Sequence, residues 1–152
     1  MGRGLRAVSE ADRRGSIIKA TREFKLEHNT LPSSLELAYL GDSIYDLYVR
    51  SHLVNRGGRV GALHRRAVRH VCAHAQSEAL GRLEGALTEA EAAVARSARN
   101  AHQSPPRNAD PAEYHRATAL EALIGYLYVT GQLERMHELL QRALPPEQIE
   151  QE

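Results

Sequence analysis

Tryptophan is absent from these 152 residues, and phenylalanine and cysteine occur once each, the cysteine as Cys72. A lone cysteine excludes an internal disulfide and any cysteine-based zinc finger, and it suits a reducing cytoplasm, where we expect the protein to reside. No apolar run approaches the roughly 20 residues of a membrane span, and the mean hydropathy is −0.47, so a transmembrane helix is excluded. The opening residues Met1 to Ser9 lack an apolar stretch ending in a small-residue cleavage site, which argues against secretion. Strand signals are also missing: alternating β-branched runs are scarce, and neither Asn-Gly nor Asp-Gly occurs. With so few aromatics, binding of single strands by base stacking is disfavoured.

What is present is charge, unevenly placed. Residues 1–49 hold seven basic and seven acidic side chains. Residues 50–107 hold ten arginines and five histidines against four acids, and residues 108–152 three arginines against eight acids. A basic middle in a chain of net charge +1 suggests a face for a polyanion; the alternative is a solvated arginine-rich surface.

The pattern is helical throughout, in one domain. A first, weakly patterned helix is expected over Ser9–His28. A second starts at the capping box Ser33-Ser34-Leu35-Glu36. It carries a stripe of Leu37, Leu40, Ile44, Leu47, Tyr48 and Ser51, with a second patch at Ala38, Tyr45 and Val49, which predicts a place in the middle of the bundle. Gly57, Gly58 and Gly61 read as a turn. A third helix is expected from Val60 to Glu84, with Leu63, Ala67, Val71, Ala75, Leu80 and Leu83 inward. Thr88 and Glu91 box the start of a fourth, which fades near Asn100 before the long loop Ala101–Ala109. Asp110-Pro111-Ala112-Glu113 opens a fifth, with Gly131 at its end. A sixth runs from Gln132 to Leu144, and the acidic tail 145–152 is expected to fray.

Two acids stand out. Asp42 follows Gly41 inside the most apolar helix, and Glu121 flanks the stripe of the fifth helix one turn before Gly125. An acid among core residues loses hydration unless a cation or donors compensate, and a mid-helix glycine costs about 1 kcal/mol against alanine. A crossing helix or a ligand would account for the missing side chain. Each acid alone pairs with an arginine or faces water; together they make a candidate site for Mg²⁺, which favours a few carboxylates plus water. Asp46, one turn on, could join that site or remain a surface acid. His70 and His74 are a weak metal pair without a third ligand, and Cys72 reads as a small buried residue.

These residues carry a resemblance. Leu37-Ala38-Tyr39-Leu40-Gly41-Asp42-Ser43-Ile44-Tyr45 resembles the signature helix of the ribonuclease III family, and Glu121-Ala122-Leu123-Ile124-Gly125 resembles its second acidic helix. Leu63-His64-Arg65-Arg66, Arg99-Asn100-Ala101 and Pro106-Arg107-Asn108-Ala109-Asp110 resemble the Mini-ribonuclease III branch, which lacks a separate domain for double-stranded RNA. The likeness spans roughly residues 33–144, leaving 1–32 as an N-terminal extension. It implies an all-α catalytic domain of six to seven helices that forms a homodimer and hydrolyses double-stranded RNA. It further implies Mg²⁺, with Mn²⁺ able to substitute, on Asp42 and Glu121, and a role in trimming precursor 23S ribosomal RNA; whether a ribosomal protein presents that RNA is left open. Fuller family members carry Glu and Asp where this chain has Ala38 and Thr118, which leaves the number of ions open. For RNA contact, Arg99, Asn100, His102, Arg107 and Asn108 bracket the loop, and His64, Arg65, Arg66 and Arg69 form a second strip. The competing reading is a non-catalytic RNA-binding or ribosome-assembly module on the same fold.

Overall fold

The computed structural model describes Leu26 and residues 30–151, and the helix expected over residues 9–28 lies outside the described residues apart from Leu26. Seven helices follow: α1 Ser34–Arg56, α2 Val60–Val71, α3 Ala73–Gly81, α4 Glu89–Arg99, α5 Pro111–Val129, α6 Leu133–Ala143 and α7 Pro146–Glu150. No strand occurs among the described residues, and no helix there is long and apolar enough to cross a membrane.

Local chemistry sets three of the seven helix starts. Ser33 and Glu36 form the expected reciprocal box on α1, and Thr88 and Glu91 do the same for α4. The Asp110 carboxylate accepts from the Glu113 N–H ahead of Pro111 at α5, so donors left free at these three helix starts find acceptors. Gly57 and Gly58, at φ 82° and 131°, make the α1–α2 turn, and Gly131 at φ 73° follows α5; these are backbone shapes that side-chain-bearing residues rarely adopt.

The centre of the bundle belongs to α5. Ten of its residues, from Ala117 to Val129, are buried, and α1, α3 and α4 pack around it. The expected central place of α1 is therefore corrected: it lies against α5 through Leu37, Ala38, Gly41, Tyr45, Val49 and Leu53, while Leu47 of the predicted stripe is 52% exposed. The patch Ala38, Tyr45 and Val49 is buried throughout, whereas Leu47 of the stripe is exposed, as are Tyr39 and Val54.

Two further expectations change. The single helix expected over Val60–Glu84 is two, because Cys72 takes an extended conformation (φ −68°, ψ 157°) that closes α2 and starts α3. The break turns Ala79, Leu80 and Leu83 into the main core. It also leaves Cys72 exposed rather than buried, with its Sγ donating to the Arg69 carbonyl. The tail does not fray along its length: Pro146 opens α7, Ile149 is buried, and His52 pairs with Glu150 at 3.1 Å. Tyr48 donates to the Leu144 carbonyl at 2.8 Å, fixing the turn that precedes α7.

Candidate active site

Helices α1 and α5 cross at two glycines. A Cβ on Gly41 would overlap the Glu121 carbonyl group, and one on Gly125 would overlap the Leu37 carbonyl group. Since α1 advances from Leu37 to Gly41 where α5 recedes from Gly125 to Glu121, the two backbones run in opposite senses in direct contact. The crossing helix thus accounts for both glycines.

This contact delivers the two acids to one place. Asp42 and Glu121 both line an open cleft of about 410 Å³ between α1, α3 and α5, close enough for the Asp42 charge to act on Glu121. Glu121 is half-buried, and burial, with the Asp42 charge as the second cause, pushes its pKa up to about 8. Asp42 itself is exposed at the rim, so the expectation of a desolvated acid is met by Glu121 and not by Asp42. The rest of the lining includes Tyr39, Gln76, Gln103 and Tyr114, with Ala38 and Thr118 beside the acids. The Thr118 hydroxyl donates to the Tyr114 carbonyl at 3.0 Å.

Other candidate residues lie elsewhere. Asp46 is one turn from Asp42 but is held by Arg50 at 3.0 Å and does not line the cleft. Among the described residues no group of three or more His, Cys, Asp and Glu side chains is arranged to hold a metal ion. The histidine pair is split by the break at Cys72, and His74 instead bridges Glu113 at 2.6 Å and Glu78 at 3.2 Å. Arg99, Asn100, His102, Arg107 and Asn108 are all exposed around the loop that brings Gln103 into the cleft. His64 and Arg65 are exposed and Arg66 half-buried on α2. His64 lines a separate apolar groove with Val54 and Val60. Sequence reasoning missed Gln76 and Gln103, because neither residue type nor spacing marks an isolated glutamine as a cleft residue.

Residues 35–132 match the Ribonuclease III domain. The chain belongs to the ribonuclease III family. It is 53% identical over 116 residues to Mini-ribonuclease 3 of Symbiobacterium thermophilum, covering 75% of this chain and 88% of that protein. It is 45% identical over 115 residues to Mini-ribonuclease 3 of Brevibacillus brevis, covering 74% and 86%. A crystal structure of a protein from Fusobacterium nucleatum superposes with a TM-score of 0.69 at 31% identity, covering 74% of this chain and 93% of that one. Membership in the Mini-ribonuclease 3 branch makes this chain an endoribonuclease, a hydrolase of RNA phosphodiester bonds, and it sets aside the non-catalytic reading.

Proposed function

We propose that this ribonuclease cleaves double-stranded RNA with a divalent cation, Mg²⁺ or in its place Mn²⁺, held by Asp42 and Glu121. The observation that supports this is the carboxyl pair itself: two acids line one cleft, and burial, with the Asp42 charge second, raises the Glu121 pKa to about 8. Such a pair gains most from a hard cation, which relieves the repulsion and matches oxygen donors. When bound, the ion supplies an activated water and neutralises charge on the phosphate. The chain's own contribution is to fix both carboxylates on rigid, glycine-packed helices and to release the proton that Glu121 holds. With Ala38 and Thr118 in place of further acids, the remaining coordination falls to water and substrate phosphate.

The basic side chains around the loop after α4 suit an A-form duplex, which is contacted through phosphates and 2′-hydroxyls across the minor groove. Ends of precursor 23S ribosomal RNA are the substrate we infer, leaving 5′-phosphate and 3′-hydroxyl termini. A symmetric homodimer is in keeping with Tyr39, Leu47 and Val54 exposed on one helix. Incubation of a long RNA duplex with Mg²⁺, with EDTA and with Asp42→Asn tests the reading. Cutting is expected only by the parent with the cation, and equal cutting by Asp42→Asn would overturn the role of Asp42. Light scattering at low concentration tests the dimer; a monomer that cuts duplexes would overturn it.

A further inference from the structure

The cleft that holds the two acids is also lined by Ala73 and Gln76, from the opening of α3. Gln76 is 2% exposed, and its side-chain Nε2 has no hydrogen-bond partner. An amide donor buried without an acceptor is destabilising, and a position that retains one calls for a partner that arrives with a ligand. Alongside it, α3 begins without a side-chain cap at Cys72. Ala73 lines the cleft, so this uncapped end of the helix, the positive end of its dipole, borders it.

Two polar groups nearby are already engaged. His74 is taken by Glu113 and Glu78, and the Thr118 hydroxyl donates to the Tyr114 carbonyl. The cleft thus combines a carboxylate pair, which attracts a cation, with amide donors, which attract an anion. A cation can take nothing from an N–H donor, so Gln76 is not a ligand of the ion through Nε2. A phosphodiester accompanied by a divalent cation presents both charges at once. Resting on the reading of the cleft as a nuclease site, we propose that the Gln76 amide and the first turn of α3 form a receptor for a non-bridging phosphate oxygen of the RNA. Charge on that oxygen grows as the phosphate is attacked, so donors fixed in place beforehand stabilise the transition state more than the bound substrate.

Gln76→Leu keeps the volume and removes the amide. In the full chain we expect kcat on duplex RNA to fall by about tenfold or more while KM stays within about threefold. Mn²⁺ affinity, read from the electron paramagnetic resonance signal of free Mn²⁺ without RNA, is expected to stay within about twofold, because the carboxylates are untouched. The melting temperature is expected to equal or exceed the parent's, since an orphaned polar group has been removed. A mere packing role would not give that combination. Gln76→Glu is nearly the same shape and brings a like charge to the phosphate, so its kcat should fall further than that of Gln76→Leu. An unchanged kcat in either variant overturns the receptor, as does a parallel loss of Mn²⁺ affinity or a lowered melting temperature in Gln76→Leu. A parent inert on duplex RNA with both Mg²⁺ and Mn²⁺ overturns the nuclease reading and the receptor with it, whereas a parent that cuts while Gln76→Leu cuts equally well overturns the receptor alone.

Discussion

Gly41 and Gly125 interlock: the Cβ that Gly41 lacks would stand 2.6 Å from the Glu121 carbonyl carbon, and the one that Gly125 lacks 2.9 Å from the Leu37 carbonyl carbon. Both obstructions are backbone, which cannot swing aside as a side chain can. Gly41→Ala must therefore part α1 from α5, although alanine is the better helix former by about 1 kcal/mol. Overpacking of this kind costs on the order of 3 kcal/mol, more than that gain. Urea melts should show the loss for Gly41→Ala and for Gly125→Ala. Because the same contact sets the spacing of Asp42 and Glu121, both variants should also lose cleavage at temperatures where they remain folded.

Glu121 gives the apo protein a pH dependence of definite sign. Its pKa is raised from 4.5 to about 8 by burial first and by Asp42 second. A raised carboxyl stabilises the fold fully below its unfolded pKa, and that contribution is lost as pH climbs through the folded value. With EDTA present, the parent should lose stability relative to Glu121→Gln between about pH 4.5 and about pH 8 and then level off. Denaturant melts of the pair at pH 5, 7 and 9 check this; a constant difference would contradict it. Binding of Mn²⁺ at pH 7 should release close to one proton, seen as a buffer-dependent heat in calorimetry, and the release should vanish near pH 9.5.

The acids on α1 and α5 were legible in the sequence because Asp42 adjoins Gly41 and Glu121 lies one turn before Gly125, and a mid-helix glycine that costs helix stability implies close approach. The caps at Ser33, Thr88 and Asp110 were legible because N-capping is local chemistry. The break at Cys72 was not: no glycine or proline marks it, and the extended backbone there is imposed by α3 turning to pack on α5. Nor was the buried face of α1 legible. Two apolar faces compete in its sequence, and only the glycine at position 41 marks the side that meets α5. The burial of Ile149 and the cleft position of Gln76 depend likewise on contacts between distant segments, which periodicity within one helix does not encode.

Glu91 is the most buried acid of the described residues, at 2% exposure, and does two things. It closes the cap of α4 with Thr88, and it receives Arg135 of α6 on both carboxylate oxygens at 2.9 and 3.0 Å. Arg135 also donates to the Ala86 carbonyl at 2.7 Å, and its guanidinium is the first cause holding the Glu91 pKa below the usual carboxylate range. Arg135→Ala strands a buried charge, which costs about 3 to 5 kcal/mol. The loss should be large at pH 7 and shrink in acid, where Glu91 takes up a proton in the variant. Arg135→Met with Glu91→Gln, which leaves no charge behind, should recover part of it.

Arg99 and Arg107 flank the loop that carries Gln103 into the cleft, whereas His64 and Arg65 lie on α2, where His64 borders a different groove. If the duplex enters along the loop, each arginine there neutralises a phosphate and releases counterions on binding. Arg99→Ala and Arg107→Ala should each reduce the slope of log affinity against log salt by about one. The loss should be uniform over duplexes of different sequence, because phosphate contacts position the RNA without reading it. Arg65→Ala should shift the slope less than either. Fluorescence anisotropy of a labelled duplex without divalent cation, in KCl from 50 to 300 mM, measures all three on a common scale of roughly tenfold per 1.4 kcal/mol. A larger effect at Arg65 than at both loop positions would move the RNA path to α2 and away from the loop.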